Sequence, residues 1–209
     1  MATRLSDTDR IEGFSDAVFA IAITLLVLDL AVPQPGRFGA GLLEEWPRYI
    51  AYLTAFFTIA SVWVHHHSVF ARVARAEPAI VILNLLLLLG VSLIPWPTRL
   101  IGAALQDGER TDQTAALVVF AVPSLILALG WFVLSRALLR RPHLLTDDAD
   151  TVFMGRNARR TLLTIIPTLV ATALAFVAPL AALATYLLIA AYFLFSSVRA
   201  GSGARSRDA

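Results

Sequence analysis

Six apolar stretches, each near the roughly 20 residues a helix needs to cross a bilayer core, take up most of the chain: 14–32, 48–70, 79–104, 114–138, 159–178 and 180–198. Charged residues and proline or glycine bound them. Only Ala178-Pro179 separates the last two. One unbroken span of that combined length is far too long for a bilayer, so a tight hairpin is expected there. In the third stretch, Pro95-Trp96-Pro97 removes a helical hydrogen bond and predicts a kink or break. The pattern therefore predicts an all-α membrane protein with six transmembrane helices per subunit. Residues 1–200 form a single domain, and the polar tail 201–209 is expected to be disordered and cytoplasmic. No repeat relates the two halves, and the loops leave no room for a second domain.

Composition agrees with that solvent. Of 209 residues, 58% are hydrophobic and 15% charged, against about a quarter charged in a soluble domain. With no cysteine, disulfides, thiolate metal sites and cysteine nucleophiles are excluded. The net charge of +2 resides in loops, so nucleic acid is not an expected partner. The apolar run after residue 13 is too long for a signal core and ends without a small-x-small site, so no cleaved leader is expected.

All the basic residues are arginines, and their placement sets the orientation. Arg4, Arg10, Arg72, Arg75, Arg136, Arg140, Arg141, Arg156, Arg159, Arg160, Arg199, Arg205 and Arg207 fall on one side. Only Arg37, Arg48, Arg99 and Arg110 fall on the other, diluted by acidic residues. The positive-inside rule makes the first side, with both termini, cytoplasmic. The lack of lysine and the wealth of alanine suit a bacterial source, hence a bacterial plasma membrane.

Asp16 sits near the cytoplasmic end of the first stretch, where an ionisable group costs a few kcal/mol unless it has a partner or a function. A plain helix-start carboxylate near the headgroups is the alternative. His66 and His67 lie about one turn from the cytoplasmic end of the second stretch, and Asn84 about a turn and a half into the third. These polar sites share one depth and can satisfy one another. Neighbouring side chains on a helix diverge by about 100°, so one ion cannot take His65, His66 and His67 together. No metal or other cofactor is assigned.

Along the first helix, Phe14, Val18, Ile21, Leu25, Leu28 and Val32 alternate spacings of four and three, the seam along which parallel helices meet around an axis. Ile21, Leu25 and Leu28 lie within about 60° of one another, and Asp16 about 140° from Ile21. One face is thus smoothly aliphatic, while Asp16 points toward the rest of the subunit. Taken alone, such a seam also suits lipid contact or core packing.

Arg10-x-x-x-Phe14-Ser15-Asp16 followed by AIAITLLVL resembles the first helix of the transmembrane-protein-175 potassium channel family. Ser61-x-Trp63-x-x-His66-His67-x-x-Phe70 is similar to its second-helix pattern, and Asn84 with Leu93-Ile94-Pro95-x-Pro97-Thr98 to its third. The match covers about residues 10–100, in order; later helices match only in number and hydrophobicity. The resemblance implies a homotetramer with its first helices around a central pore that passes potassium and other monovalent cations. It implies a filter of branched aliphatic rings at Ile21, Leu25 and Leu28, edged by Thr24. It also implies a network of Arg10, Phe14, Ser15, Asp16, Trp63, His66, His67 and Asn84 tying helix one to helices two and three. His65 stands where relatives often have asparagine. Asp29 is either an acidic ring at the pore mouth or a solvated helix-end carboxylate.

A potassium-selective channel is the expected function. The alternative is a proton-coupled transporter or proton channel built on Asp16, His66 and His67, although transporters usually show paired broken helices and a polar midplane. An enzyme needs converging nucleophiles or metal ligands, and none is evident.

Overall fold

The computed structural model describes residues 8–147 and 149–205. Its α-helices are α1 (Asp9–Leu26), α2 (Phe38–Glu44), α3 (Trp46–Phe70), α4 (Pro78–Leu93), α5 (Pro95–Asp107), α6 (Arg110–Leu139), α7 (Ala149–Leu174) and α8 (Pro179–Arg205). Prolines mark the starts of α3, α4, α5 and α8, where the missing N–H has no intrahelical acceptor to lose. The break expected at Pro95 is present: α4 stops at Leu93 and α5 begins at Pro95. The hairpin expected at Ala178-Pro179 is the four-residue turn between α7 and α8.

Some boundaries differ from the sequence reading. The short α2 was not expected, because its seven residues carry no apolar run. Helix α7 starts at Ala149, ten residues upstream of the expected 159, since its first turns are polar and escape a hydropathy criterion. Helix α8 is carried to Arg205, into the stretch 201–209 expected to be disordered. Once nucleated by its apolar turns, a helix adds one bond per residue even through weak formers. Residues 206–209 lie outside the described residues.

Among the described residues, Asp9–Asp29, the broken Pro78–Asp107 and Arg110–Leu139 are long and apolar enough to cross a bilayer, and Pro179–Phe195 is apolar but shorter. Helices α3 and α7 have the length, at 25 and 26 residues. Arg48 with the histidines dilutes the first, and Arg156, Arg159 and Arg160 the second.

Helix α1 lies against α3, α4 and α5, while α6 packs on α4, α5, α7 and α8, and α3 also holds α8. Gly90 of α4 and Gly130 of α6 bring their helices close. A Cβ on Gly130 would stand 2.7 Å from Leu87, and one on Gly90 3.0 Å from Leu127. Small residues at such crossings let backbones approach where no hydrophobic force drives helices together. At the end opposite the α7–α8 turn, the loops after α3 and α6 clasp. Val73 and Leu145 form an antiparallel bridge, with Ala74 N–H donating to Leu144 O at 2.9 Å. Arg72 pairs with Asp150 at 3.3 Å, and Arg141 with Glu77 at 3.0 Å.

Candidate functional site

The subunit covers one face of α1 and leaves the other bare. Ser15, Phe19, Ala22 and Leu26 are buried, a stripe spaced at four, three and four. Ile21, Leu25 and Leu28, on the reverse side, are 59%, 44% and 74% exposed. Val27–Asp29 tightens into a 3-10 turn, and at three residues per turn Leu25 and Leu28 sit nearly one above the other. Thr24 Oγ1 donates to the Ile21 carbonyl at 2.9 Å. Its proton is spent inside the helix, so it presents a methyl and lone pairs outward. Ile23 packs partly against the core, whereas Val27 is also exposed.

A directed chain of hydrogen bonds joins three helices behind this face. His66 Nε2–H donates to Asn84 Oδ1 at 2.9 Å, Asn84 Nδ2–H donates to Ser15 Oγ at 2.9 Å, and Ser15 Oγ–H donates to the Ile11 carbonyl at 2.7 Å. Each donor meets an acceptor, and this fixes both the amide orientation of Asn84 and the tautomer of His66. Ser15, His66 and Asn84 are all buried. The His66 ring stacks on Phe70 at 4.3 Å and takes the edge of Phe19 at 5.4 Å.

Asp16 is not part of that chain. It is exposed on the flank of α1 and accepts from Trp63 Nε1 at 2.9 Å, while Trp63 stacks with His67 at 6.3 Å. The sequence reading turned Asp16 toward the subunit, and its bond to Trp63 does reach α3, but the residue that is buried is its neighbour Ser15. One residue is about 100° of helix, enough to move the carboxylate from core to flank. Arg10 and Phe14 are exposed.

The histidine rings go three ways. His65 meets Trp131 of α6 edge-on at 4.5 Å, His66 faces Asn84, and His67 faces Trp63. His65 therefore points away from α1, so its difference from asparagine leaves the Ser15–Asn84–His66 chain untouched. Among the described residues no group of three histidine, cysteine or acidic side chains is placed to hold a metal ion.

Asp29, at the end of the 3-10 turn, lies 3.8 Å from Arg99 of α5. The two border a pocket of about 320 Å³ with Leu28, Arg48 and Tyr52. Asp29 thus has a cationic neighbour.

A second buried amide escaped the sequence reading. Asn157 Nδ2 donates to Ser135 Oγ at 2.8 Å, tying α7 to α6 as Asn84 ties α4 to α1. Asn157 lies two residues before the expected span 159–178, so it was not counted at membrane depth. The signal was a polar residue one turn ahead of an apolar run.

Known proteins resemble this chain in sequence and in fold. Residues 10–95 match the family model of the endosomal/lysosomal potassium channel TMEM175. A potassium channel of Streptomyces collinus is 37% identical over 197 residues, covering 93% of this chain and 95% of that protein. The crystal structure of a lysosomal potassium-selective channel TMEM175 homolog from Chamaesiphon minutus superposes with a TM-score of 0.78 at 34% identity, covering 91% of this chain and 97% of that one. The human endosomal/lysosomal proton channel TMEM175 is 40% identical over 98 residues, covering 42% of this chain and 19% of that protein.

Proposed function

The chain belongs to the family of the endosomal/lysosomal potassium channel TMEM175, and we propose that it is a potassium-selective cation channel whose filter is the aliphatic face of α1. The observation that carries this reading is the uncovered line of Ile21, Leu25 and Leu28 on a helix whose reverse face is fully buried. One such helix encloses nothing. Copies of it around an axis make successive apolar rings, and a homotetramer is the assembly proposed. Both termini are assigned to the cytoplasm of a bacterial cell, with six helices crossing the plasma membrane.

An apolar ring narrower than a hydrated ion resists wetting, and a passing ion must shed part of its shell. Potassium holds water less tightly than sodium, so the ring favours potassium without offering a strong ligand. Selectivity of this origin is moderate. No resident cofactor or enzymatic step is needed. Purified protein in planar bilayers, with potassium on one side and sodium on the other, is expected to give a reversal potential displaced toward potassium. A zero reversal potential, or a monomeric mass in nanodiscs, would sink the reading.

A second reading, proton conduction, has one observation in its favour: the human relative is named a proton channel. The same bilayers under a pH gradient distinguish the two.

Asp29 and Arg99 set the charge at the outer mouth. Arg99 is 76% exposed, so its guanidinium offsets much of the carboxylate's attraction for entering cations. Arg99→Gln is therefore expected to raise inward single-channel conductance about two- to threefold at low salt and hardly at all at molar salt, where the field is screened. An unchanged low-salt conductance removes this pair from the permeation path.

A further inference from the structure

Helix α6 carries an apolar stripe that no described element covers. Val122, Leu129 and Val133 are exposed, and their spacings of seven and four place them on one line. Arg136 and Arg140 continue that line three and four residues further on, both exposed. Leu117, Phe120, Leu127, Leu134 and Leu138, on the opposite side, are buried. From Val122 to Val133 the stripe runs about 16 Å at 1.5 Å per residue, close to the roughly 15 Å of one leaflet's hydrocarbon. At its foot a groove of about 580 Å³ is lined by Phe132, Val133, Arg136, Ala137, Arg140 and Arg141.

The cations at this end are unequal. Arg72 is held by Asp150, while Arg141 and His143 share Glu77. Arg136 and Arg140 form no ion pair with any described residue. They stand one turn apart on a single helix face, roughly 6 Å between Cβ atoms, a spacing that two forked guanidinium groups can close on one phosphate. Attraction to the negative C-terminus of a helix favours arginine in a last turn. It does not require two unpaired arginines in line beneath an uncovered apolar groove.

We propose that Arg136 and Arg140 bind the phosphate of an anionic phospholipid of the cytoplasmic leaflet, whose acyl chains lie along Val133, Leu129 and Val122. The site rests on the cytoplasmic placement of this helix end and not on ion permeation. It lies on a different helix from the candidate pore face, which is on α1, and α1 packs on α3, α4 and α5. Charge complementarity selects the lipid: phosphatidylglycerol offers a net negative headgroup, whereas phosphatidylcholine cancels its phosphate with an ammonium.

The test is lipid retention by the full-length protein in detergent, read by native mass spectrometry with phosphatidylglycerol and phosphatidylcholine supplied in titrated amounts. Wild type is expected to prefer phosphatidylglycerol. Arg136→Gln/Arg140→Gln should weaken that binding roughly ten- to thirtyfold, the scale of two arginines at an anionic leaflet. Arg136→Lys/Arg140→Lys should keep most of it, and Arg156→Gln/Arg159→Gln on α7 should keep all of it. Should the glutamine pair fail to fold, Arg140→Gln alone, at the helix cap, carries the same comparison with a smaller loss. Inorganic phosphate and glycerol phosphate should not compete at millimolar concentration, because they lack chains for the stripe. The proposal is overturned by equal retention of the two lipids, by unchanged affinity in the glutamine pair, by an equal loss in the α7 pair, or by full competition from a soluble phosphate. Occupation of the stripe by a second copy of the chain, with lipid excluded, overturns it too. Since no current is measured, failure here leaves the channel reading standing, and a silent channel leaves the lipid site standing.

Discussion

Leu25→Asn is expected to lower the potassium-to-sodium permeability ratio, with conductance kept or raised. Leu25 is the middle residue of the uncovered aliphatic line and nearly eclipses Leu28 across the 3-10 turn. If selectivity arises because an ion sheds water at apolar rings, a side chain that hydrogen-bonds the ion or its remaining shell replaces part of what was lost. That replacement helps sodium more, because sodium pays the larger dehydration penalty. A net hydrogen bond contributes about 1 kcal/mol, which corresponds to a roughly fivefold change in the ratio. Ile21→Asn should act in the same direction. Ile23→Asn, partly packed on the core, should leave the ratio unchanged while reducing expression. Val27→Asn is the sharper control, because Val27 is exposed but lies about 120° around the helix from Ile21. Bi-ionic reversal potentials of the four variants decide the matter. A shift at Val27 with none at Leu25 moves the pore to another face of α1.

The hydrophobic pattern found the long apolar helices, because a membrane span declares itself by length and apolarity, but it missed α2 and the polar start of α7. The Pro95 break and the α7–α8 turn were legible for a similar reason: proline acts on the backbone whatever surrounds it. The depth argument found His66 and Asn84, since a polar side chain in an apolar run must be satisfied, whereas Ser15 entered only through the resemblance of the first-helix motif. At Asp16 the outcome is mixed, for the carboxylate does reach Trp63 of α3 but stays exposed. Depth along a helix was correctly read, but which of two adjacent polar residues turns inward depends on how α1 is rotated against α3 and α4, and that rotation is set by Phe19, Ala22 and Leu26 fitting their neighbours. Asn157, and with it the partner of Ser135, was missed because α7 runs on through a polar stretch that no hydropathy criterion credits. The Arg99–Asp29 contact was equally invisible, as it joins α5 to the end of α1 through tertiary packing with no sequence spacing to announce it.

Asn84→Leu is expected to be among the most damaging single changes to the subunit, and more damaging than Asp16→Ala. Asn84 is both acceptor for His66 and donor to Ser15, and all three are buried. Leucine fills a similar volume but leaves the His66 N–H facing an aliphatic group between Phe19 and Phe70. An unsatisfied buried donor costs about 1–3 kcal/mol, although interhelical bonds in membranes have measured nearer 0.6 kcal/mol each. Two lost bonds therefore amount to roughly 1–3 kcal/mol, and a chain of this size loses about 2–4 °C of melting temperature per kcal/mol. Ser15→Ala breaks one interhelical bond, from Asn84, and one local bond to the Ile11 carbonyl of its own helix, and should cost less. In the Asn84→Leu background it should cost almost nothing further, and that non-additivity is the signature of a shared chain. Asp16→Ala removes one exposed bond, to Trp63, from a carboxylate that water can otherwise serve, so a drop within about 0.5 kcal/mol is expected, as for an ordinary surface change. Melting of detergent-solubilised variants, followed by size-exclusion chromatography, supplies the ranking. If Asp16→Ala instead unfolds or dissociates the protein while Asn84→Leu survives, the carboxylate must hold a second partner across a subunit boundary. The flank of α1 bearing Asp16 and Trp63 is then an interface in the assembly, and the Ser15 chain is secondary to it.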